Sequence, residues 1–315
     1  MTRGAAAALA CAALLAAAAP AAAQRRGEEA PAALEVIHVQ GGVYLIAGAV
    51  GNIAVQVGPD GVLLVDAGAP ERGEDVLAAV RELSDGPIRY ILNTHAHADH
   101  TGGNAALREA GSTLAGGSVL VADAAEGAAI VAHENVLQTL SASRDTPVDA
   151  WPTDTYVTEF EDLFFNGEPI RLEHFPNAHT DGDSAVIFRR SDVIVTGDVF
   201  VTTHYPMFNP EQGGSIDGIL AALNAIIDWT VPKQLQEGGT MVIPGHGRIC
   251  DEADVVEYRD MVQIVRDRIA DLIRRGMTLE QVKAARPTLD YDARYGTDYW
   301  TPEMFIEAVY KSLSS

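Results

Sequence analysis

The chain has 315 residues, 47% of them apolar and 21% charged, which excludes a disordered polymer, a collagen-like repeat and a multi-span membrane protein. Its 44 acidic residues outnumber its 22 basic ones, for a formal net charge of −22. A surface that acidic repels phosphate backbones and anionic lipid, so nucleic acid and membrane surfaces are not expected partners.

In chain order, the first 23 residues read as a leader. Arg3 precedes an apolar run from Ala5 to Ala19, followed by Pro20 and Ala21-Ala22-Ala23 before Gln24. A charged start, an apolar centre and a small-residue cleavage site are the signature of a secretory signal peptide. The run falls short of the roughly 20 apolar residues that a helix needs to span a bilayer. Cleavage is expected near Ala23, giving a periplasmic or secreted protein with no stable membrane anchor. Cys250 is then the single remaining thiol, so no internal disulfide is expected and stability must come from a core or a metal. Residues 24–34 read as a polar leader.

From Leu34 the chain turns to short apolar runs broken by Gly. Strands are expected over Glu35–Gln40, Val43–Ile46, Ile53–Val57 and Val62–Asp66, with turns at Gly41-Gly42 and Pro59-Asp60-Gly61. Val76, Leu77, Val80 and Leu83 recur at helical spacing in Glu71–Leu83. Ile88–Asn93 is a strand candidate that delivers the chain into His95. A helix over Thr101–Ala110, a strand over Ser118–Ala122 and a helix over Glu126–Leu140 follow, then a polar loop through Asp145, Pro147 and Pro152. Tyr156–Phe160, Ile170–Phe175, Ala185–Arg189 and Val193–Thr196 are expected as strands. Ser215 is placed to cap a helix over Ile216–Asp228, with Asp217 in its first turn. After a last strand, Thr240–Ile243, the chain reads as helical over Glu252–Arg275, Leu279–Ala285 and Pro302–Leu313. Strands followed by helices, twice over, suit two sheets packed face to face with helices outside, an α+β class.

Three of the nine His residues fall in one stretch, His95-Ala96-His97-Ala98-Asp99-His100, between a strand and a helix. Three imidazoles and a carboxylate in six residues point to a metal, since His and Asp are ordinary zinc ligands and the Ala spacers let the loop curl. His179, Asp198 and His246 each stand at the end of a strand candidate, flanked by Gly or small residues, and suit the same rim.

With these residues the sequence resembles the metallo-β-lactamase superfamily, from about Glu35 to about Met261, through its HxHxDH motif and the later His, Asp and His in the same order. The resemblance implies an αββα sandwich over 35–261 with a two-metal site on one edge, followed by a C-terminal helical extension over 262–315. It implies that His95, His97 and His179 bind a first metal, that Asp99, His100 and His246 bind a second, and that Asp198 bridges them. Two zinc ions per chain are the implied cofactors. An Asp at position 198, where lactamases of this superfamily usually carry Cys or Ser, is similar to the glyoxalase II type. Ala132-His133-Glu134-Asn135 and Gly213-Gly214-Ser215-Ile216-Asp217-Gly218 resemble an exported subgroup of these hydrolases.

The implied chemistry is hydrolysis of a small ester, thioester, lactone or lactam by a hydroxide shared between two ions. With one oxygen on metal, Asp99 is the candidate for orienting that hydroxide and passing on its proton. The expected partner is a small-molecule substrate. Trp151, His204, Tyr205 and Phe208 are candidates for lining its pocket, while Cys250 reads as a small buried residue. Two alternatives stand beside this reading: a genuine β-lactamase, and a non-haem iron oxygenase or oxidoreductase on the same fold. The diiron relatives usually carry a carboxylate where this chain has His97.

Overall fold

The computed structural model describes residues 33–113, 127–208, 210 and 213–314. The expected signal peptide, almost all of the polar leader and the expected strand Ser118–Ala122 lie outside the described residues. Within them the chain forms two sheets between helical layers.

The first sheet runs in sequence order from β1 to β7: β1 (Glu35–Gln40), β2 (Val43–Ala47), β3 (Ile53–Gly58), β4 (Gly61–Val65), β5 (Ile88–Leu92), β6 (Ala129–His133) and β7 (Asp154–Tyr156). Neighbours pair antiparallel up to β4 and parallel from there on. Helices α1 (Gly73–Leu83), α2 (Ala98–Thr101), α3 (Asn104–Glu109) and α4 (Glu134–Ala142) lie between these strands in the chain. The second sheet has the order β12-β11-β10-β9-β8, from β8 (Phe160–Phe165), β9 (Glu168–Phe175), β10 (Asp183–Phe188), β11 (Val193–Val195) and β12 (Met241–Ile243). Its helices are α5 (Ile216–Trp229), α6 (Glu252–Arg274), α7 (Leu279–Ala285), α8 (Asp292–Tyr295) and α9 (Pro302–Ser314).

The layering follows from the two-residue period of a strand, which sends successive side chains to opposite faces. Leu63 and Val65 of β4 enter the space between the sheets and meet Ile170, Leu172 and Val193 from the second sheet. Their neighbours Val62 and Leu64 face the other way, onto Val76 and Val80 of α1 and Leu107 of α3. In the second sheet, Ile194 and Val242 face outward onto α5, α6 and α9 through Leu223, Val262 and Val309. Each sheet is therefore apolar on both faces, and the order of layers is αββα, as the resemblance implies. Among the described residues no helix is long and apolar enough to cross a membrane.

Four expectations are corrected. The helix expected over Glu126–Leu140 is a strand, β6, followed by α4 from Glu134. Ala129–His133 is a mostly buried parallel strand lying between β5 and β7, and apolar continuity alone does not separate such a strand from a helix. The strand expected over Tyr156–Phe160 is two ends: β7 closes the first sheet at Tyr156 and β8 opens the second at Phe160. The helix expected over Thr101–Ala110 breaks at Gly102-Gly103, where a Cβ on Gly103 would stand 2.2 Å from the Ala67 carbonyl oxygen. The expected boundary at residue 261 falls inside α6. That helix is tied to α5 and α9 in one apolar cluster, so the C-terminal segment shares a core with the second sheet.

Candidate metal centre

The chemistry-bearing loops follow β5, β9, β11 and β12, and each brings its first donor, His95, His179, Asp198 or His246, within four positions of the strand's end. Cross-links hold the loops together. Asn52 Nδ2 donates to the Pro244 and Gly247 carbonyls at 2.8 and 3.0 Å, and the Gly245 amide donates to the Gly197 carbonyl at 2.9 Å. Gly245 is required by close approach: a Cβ there would stand 2.0 Å from Asp198 Oδ1.

Two donor groups result. His95, His97, His179 and Asp198 place one ligand-type atom each within 4.8 Å of one another, and so do Asp99, His100 and His246. In the first group, His97 Nδ1 lies 3.1 Å from His95 Nε2 and 2.9 Å from His179 Nε2. Asp198 stands between the groups. Its Oδ2 is 4.0 Å from His95 Nε2 and 3.7 Å from His179 Nε2, while its Oδ1 is 3.3 Å from His100 Nε2 and 3.4 Å from His246 Nε2. Asp99 Oδ2 completes the second group, 3.1 Å from His246 Nε2 and 3.7 Å from His100 Nε2.

A further layer of contacts fixes which nitrogens carry protons. A carbonyl or a carboxylate can only accept, so His179 Nδ1–H donates to the Met207 carbonyl at 2.6 Å and His246 Nδ1–H to the Val50 carbonyl at 3.1 Å. His100 Nδ1–H donates to Asp66 Oδ2 at 2.7 Å. In each neutral ring Nε2 is then a bare lone pair aimed at the centre, the arrangement that metal-binding imidazoles use. His100 Nε2 and Asp198 Oδ1 are buried and make no hydrogen bond. Unpaired buried lone pairs of this kind are costly unless a cation shares them, so the donors fit a metal. Asp66 itself accepts from the Thr94 amide and hydroxyl, both at 2.8 Å, with its own backbone at φ +67°.

The two groups differ electrostatically. Burial and neighbouring imidazoles push His95 well below the ordinary imidazole range, and burial with His179 lowers His97. Burial works against charge on His100 and His246 too, but Asp66 and Asp198 raise the first well above its usual value, and Asp198 and Asp99 raise the second to about 9. Burial likewise opposes ionisation of Asp198, yet His100 and His246 hold its carboxyl well below the carboxylate range.

The sequence-predicted pocket residues part company. Phe208 lines a cleft of about 470 Å³ that His97 and His179 also line. Tyr205 is fully buried, its hydroxyl donating to the Thr288 carbonyl and Asp292, so it belongs to the core and not to a pocket wall. His204 is buried with its ring 6.1 Å from that of His246, and its Nδ1–H donates to the Tyr205 carbonyl. Trp151 packs with Ala96, Val136 and Leu140 under the His loop. A second cleft, of about 280 Å³, also reaches His97 and is lined by Asn135, Thr139, Thr180 and Asp181. Cys250 is a buried core thiol whose pKa burial pushes up to about 12.

Two layers of helix around two sheets, with His and Asp donors gathered at the strand ends, define a metallohydrolase architecture. The metallo-beta-lactamase superfamily profile matches residues 47–248, and the chain belongs to that superfamily. Among solved structures, the metallo-beta-lactamase from Pontibacter korlensis is 18% identical with a TM-score of 0.55, over 73% of this chain and 99% of that one. The DIM-1 metallo-beta-lactamase is 18% identical with a TM-score of 0.54, over 73% and 97%. The stereoselective inverting sec-alkylsulfatase Pisa1 from Pseudomonas sp. is 14% identical with a TM-score of 0.61, over 88% of this chain. This chain spans 50% of the sulfatase's length. The protein is a metal-dependent hydrolase of this superfamily with a His/Asp metal-binding cluster.

Proposed function

We propose that the protein is an exported hydrolase that holds two zinc ions and opens a small ester, thioester, lactone or lactam. His95, His97 and His179 would hold one ion and Asp99, His100 and His246 the other, with Asp198 facing both groups. The observation that carries this reading is the division of Asp198: Oδ2 faces the first donor group and Oδ1 the second. Imidazole and carboxylate donors suit both zinc and iron, and His97, standing where diiron relatives usually carry a carboxylate, favours zinc. Bound there, the ions supply Lewis acidity toward a scissile carbonyl and lower the pKa of the attacking water.

The chain's own groups divide the remaining work. Asp66 and the Val50 and Met207 carbonyls hold three imidazoles with Nε2 aimed inward, so binding a metal needs no ring to turn, only the loss of the Nε2 proton from a ring that carries one. The Asp99 side chain is 29% exposed against 9% for Asp198, which makes Asp99 the carboxylate that can take up and release a proton to solvent. A carboxylate at position 198 adds negative charge between the ions and weakens stabilisation of an anionic nitrogen leaving group. Lactam opening is therefore the slowest of the four reactions.

Export rests on residues 1–23. Mass spectrometry of periplasmic or secreted material should show a mature start near Gln24; full-length protein retained in the cytoplasm contradicts it. A sulfate monoester is a second reading, favoured by one observation: the sulfatase alignment covers 88% of this chain, beyond the 47–248 match. Metal analysis of protein from its native compartment, with steady-state kinetics on a cephalosporin, a thioester, a lactone and a sec-alkyl sulfate, tests the whole reading. Two zinc ions and slow cephalosporin turnover are expected. Iron in place of zinc, or a cephalosporin with the highest kcat/KM by a wide margin, overturns it.

A further inference from the structure

We propose that the substrate is an amphiphile. It carries an unbranched apolar chain of several carbons beside its scissile group, and the C-terminal helix α9 builds the seat for that chain. This rests on the hydrolase reading above and adds the substrate class to it.

The cleft of about 470 Å³ is continuous with the candidate centre, because His97 and His179 belong to both. Its volume lies within the range of small-molecule sites. The rest of its lining is mostly apolar: Met207, Phe208, Trp300, Met304 and Ala308. Met304, Glu307, Ala308 and Lys311 are spaced i, i+3, i+4, i+7, so one stripe of α9 faces the cleft. The neighbouring positions Phe305, Ile306 and Val309 are buried in the core around the second sheet and hold the helix in place. One helix thus spends one stripe on the fold and the next on the cleft.

The charged groups on this wall answer each other. Glu307 accepts from Lys283 at 2.6 Å and pairs with Lys311 at 2.8 Å. The wall asks for no charge on the chain it receives. Met207 couples seat to chemistry, since its carbonyl fixes His179 while its residue lines the cleft. The smaller cleft presents Asn135, Thr139, Thr180 and Asp181. An apolar chain in the larger cleft and a polar group in the smaller place the scissile bond of an amphiphile beside His97, which lines both.

Straight-chain alkyl hydroxamates from acetyl to decanoyl, titrated calorimetrically into the zinc-loaded full chain, test this without requiring turnover. The matching ester series is followed by steady-state kinetics. Kd should fall by about fourfold per added methylene, equivalent to about 0.8 kcal/mol each, and level off once the cleft is full. Met304→Asp should flatten that series, and Ala308→Leu should make it level off at a shorter chain. The ratio of kcat/KM for octanoyl over acetyl esters should collapse in Met304→Asp. A Kd independent of chain length, with esters hydrolysed normally, overturns the seat and leaves the hydrolase reading intact. Chain-length-dependent binding with no ester hydrolysed keeps the seat and overturns the ester chemistry. An unchanged length series in both variants contradicts the assignment of the seat to α9.

Discussion

The first donor group consists of three imidazoles and one oxygen of Asp198; the second sets two imidazoles among Asp66, Asp99 and the other oxygen of Asp198. In the first, His95 and His179 are almost wholly buried, His97 is half-buried, and the imidazole nitrogens crowd to 2.9 and 3.1 Å. In the second, the His246 side chain is 19% exposed and Asp99 is 29% exposed. The first group draws its only charge from Asp198 and meets the two clefts through His97 and His179. The second carries its charge in carboxylates and opens to solvent. The same residue types thus make one group rich in imidazole beside the clefts and one rich in carboxylate beside solvent, and Asp198 stands between them.

The largest effect is expected where the groups meet. Asp198→Ala removes a donor from both, so both ions should be lost and kcat/KM should fall at least a hundredfold, read by metal analysis and kinetics together. Full retention of either ion would show that the carboxylate is not shared. Next is His246→Ala, which strikes the open group alone. Metal content should drop from about two ions toward one, with the first group still loaded; equal loss from both would erase the distinction drawn here. Asp66→Asn acts one layer out. The amide's one oxygen stays on the Thr94 backbone amide, so its NH2 faces His100 Nδ1 and favours the tautomer protonated on Nε2. Affinity for the second ion should weaken by about 10–100-fold, with little change at the first, in competition with a chromophoric chelator.

The smallest effect concerns Val50, a β-branched residue at φ +77° whose carbonyl holds His246. Such a conformation is strained for a branched side chain and free for glycine. Val50→Gly should be neutral or stabilising by about 1 kcal/mol in thermal unfolding, against the usual loss for an introduced glycine. A clear destabilisation would mean that Val50 contributes packing that its exposure does not suggest.

Much of this was legible in the residues. The strands β2 to β5 and β9 to β12 announce themselves as short apolar runs between turns, and Ser215 caps α5 as its position suggests, accepting from the Gly218 amide at 2.9 Å. β8 was not legible. Phe160–Phe165 is an edge strand paired only with β9, and its sequence does not alternate apolar and polar residues. The Asp162 carboxylate is held across the pair by Arg171 at 2.8 Å. At the centre, the candidate donors could be picked out by type and by their place at strand ends. Asp66 carries that same signal, an acid at the end of an apolar strand before Ala-Gly, and reading it as Asp198 was read would have found it. The Val50 and Met207 carbonyls carry no such signal. Backbone acceptors have no residue type, and these reach 196 and 28 positions along the chain to their imidazoles. The α9 stripe was hidden because its apolar spacing reads equally as core until the fold shows which face is covered.

The central claim is that one carboxylate serves two ions of unequal character. Anomalous diffraction at the zinc edge, from crystals of the zinc-loaded chain, tests it most directly. Two peaks are expected, one on each side of the Asp198 carboxylate, with the peak among His95, His97 and His179 keeping the higher occupancy after brief chelator soaking. A single peak, or two peaks of which neither adjoins Asp198, would contradict it.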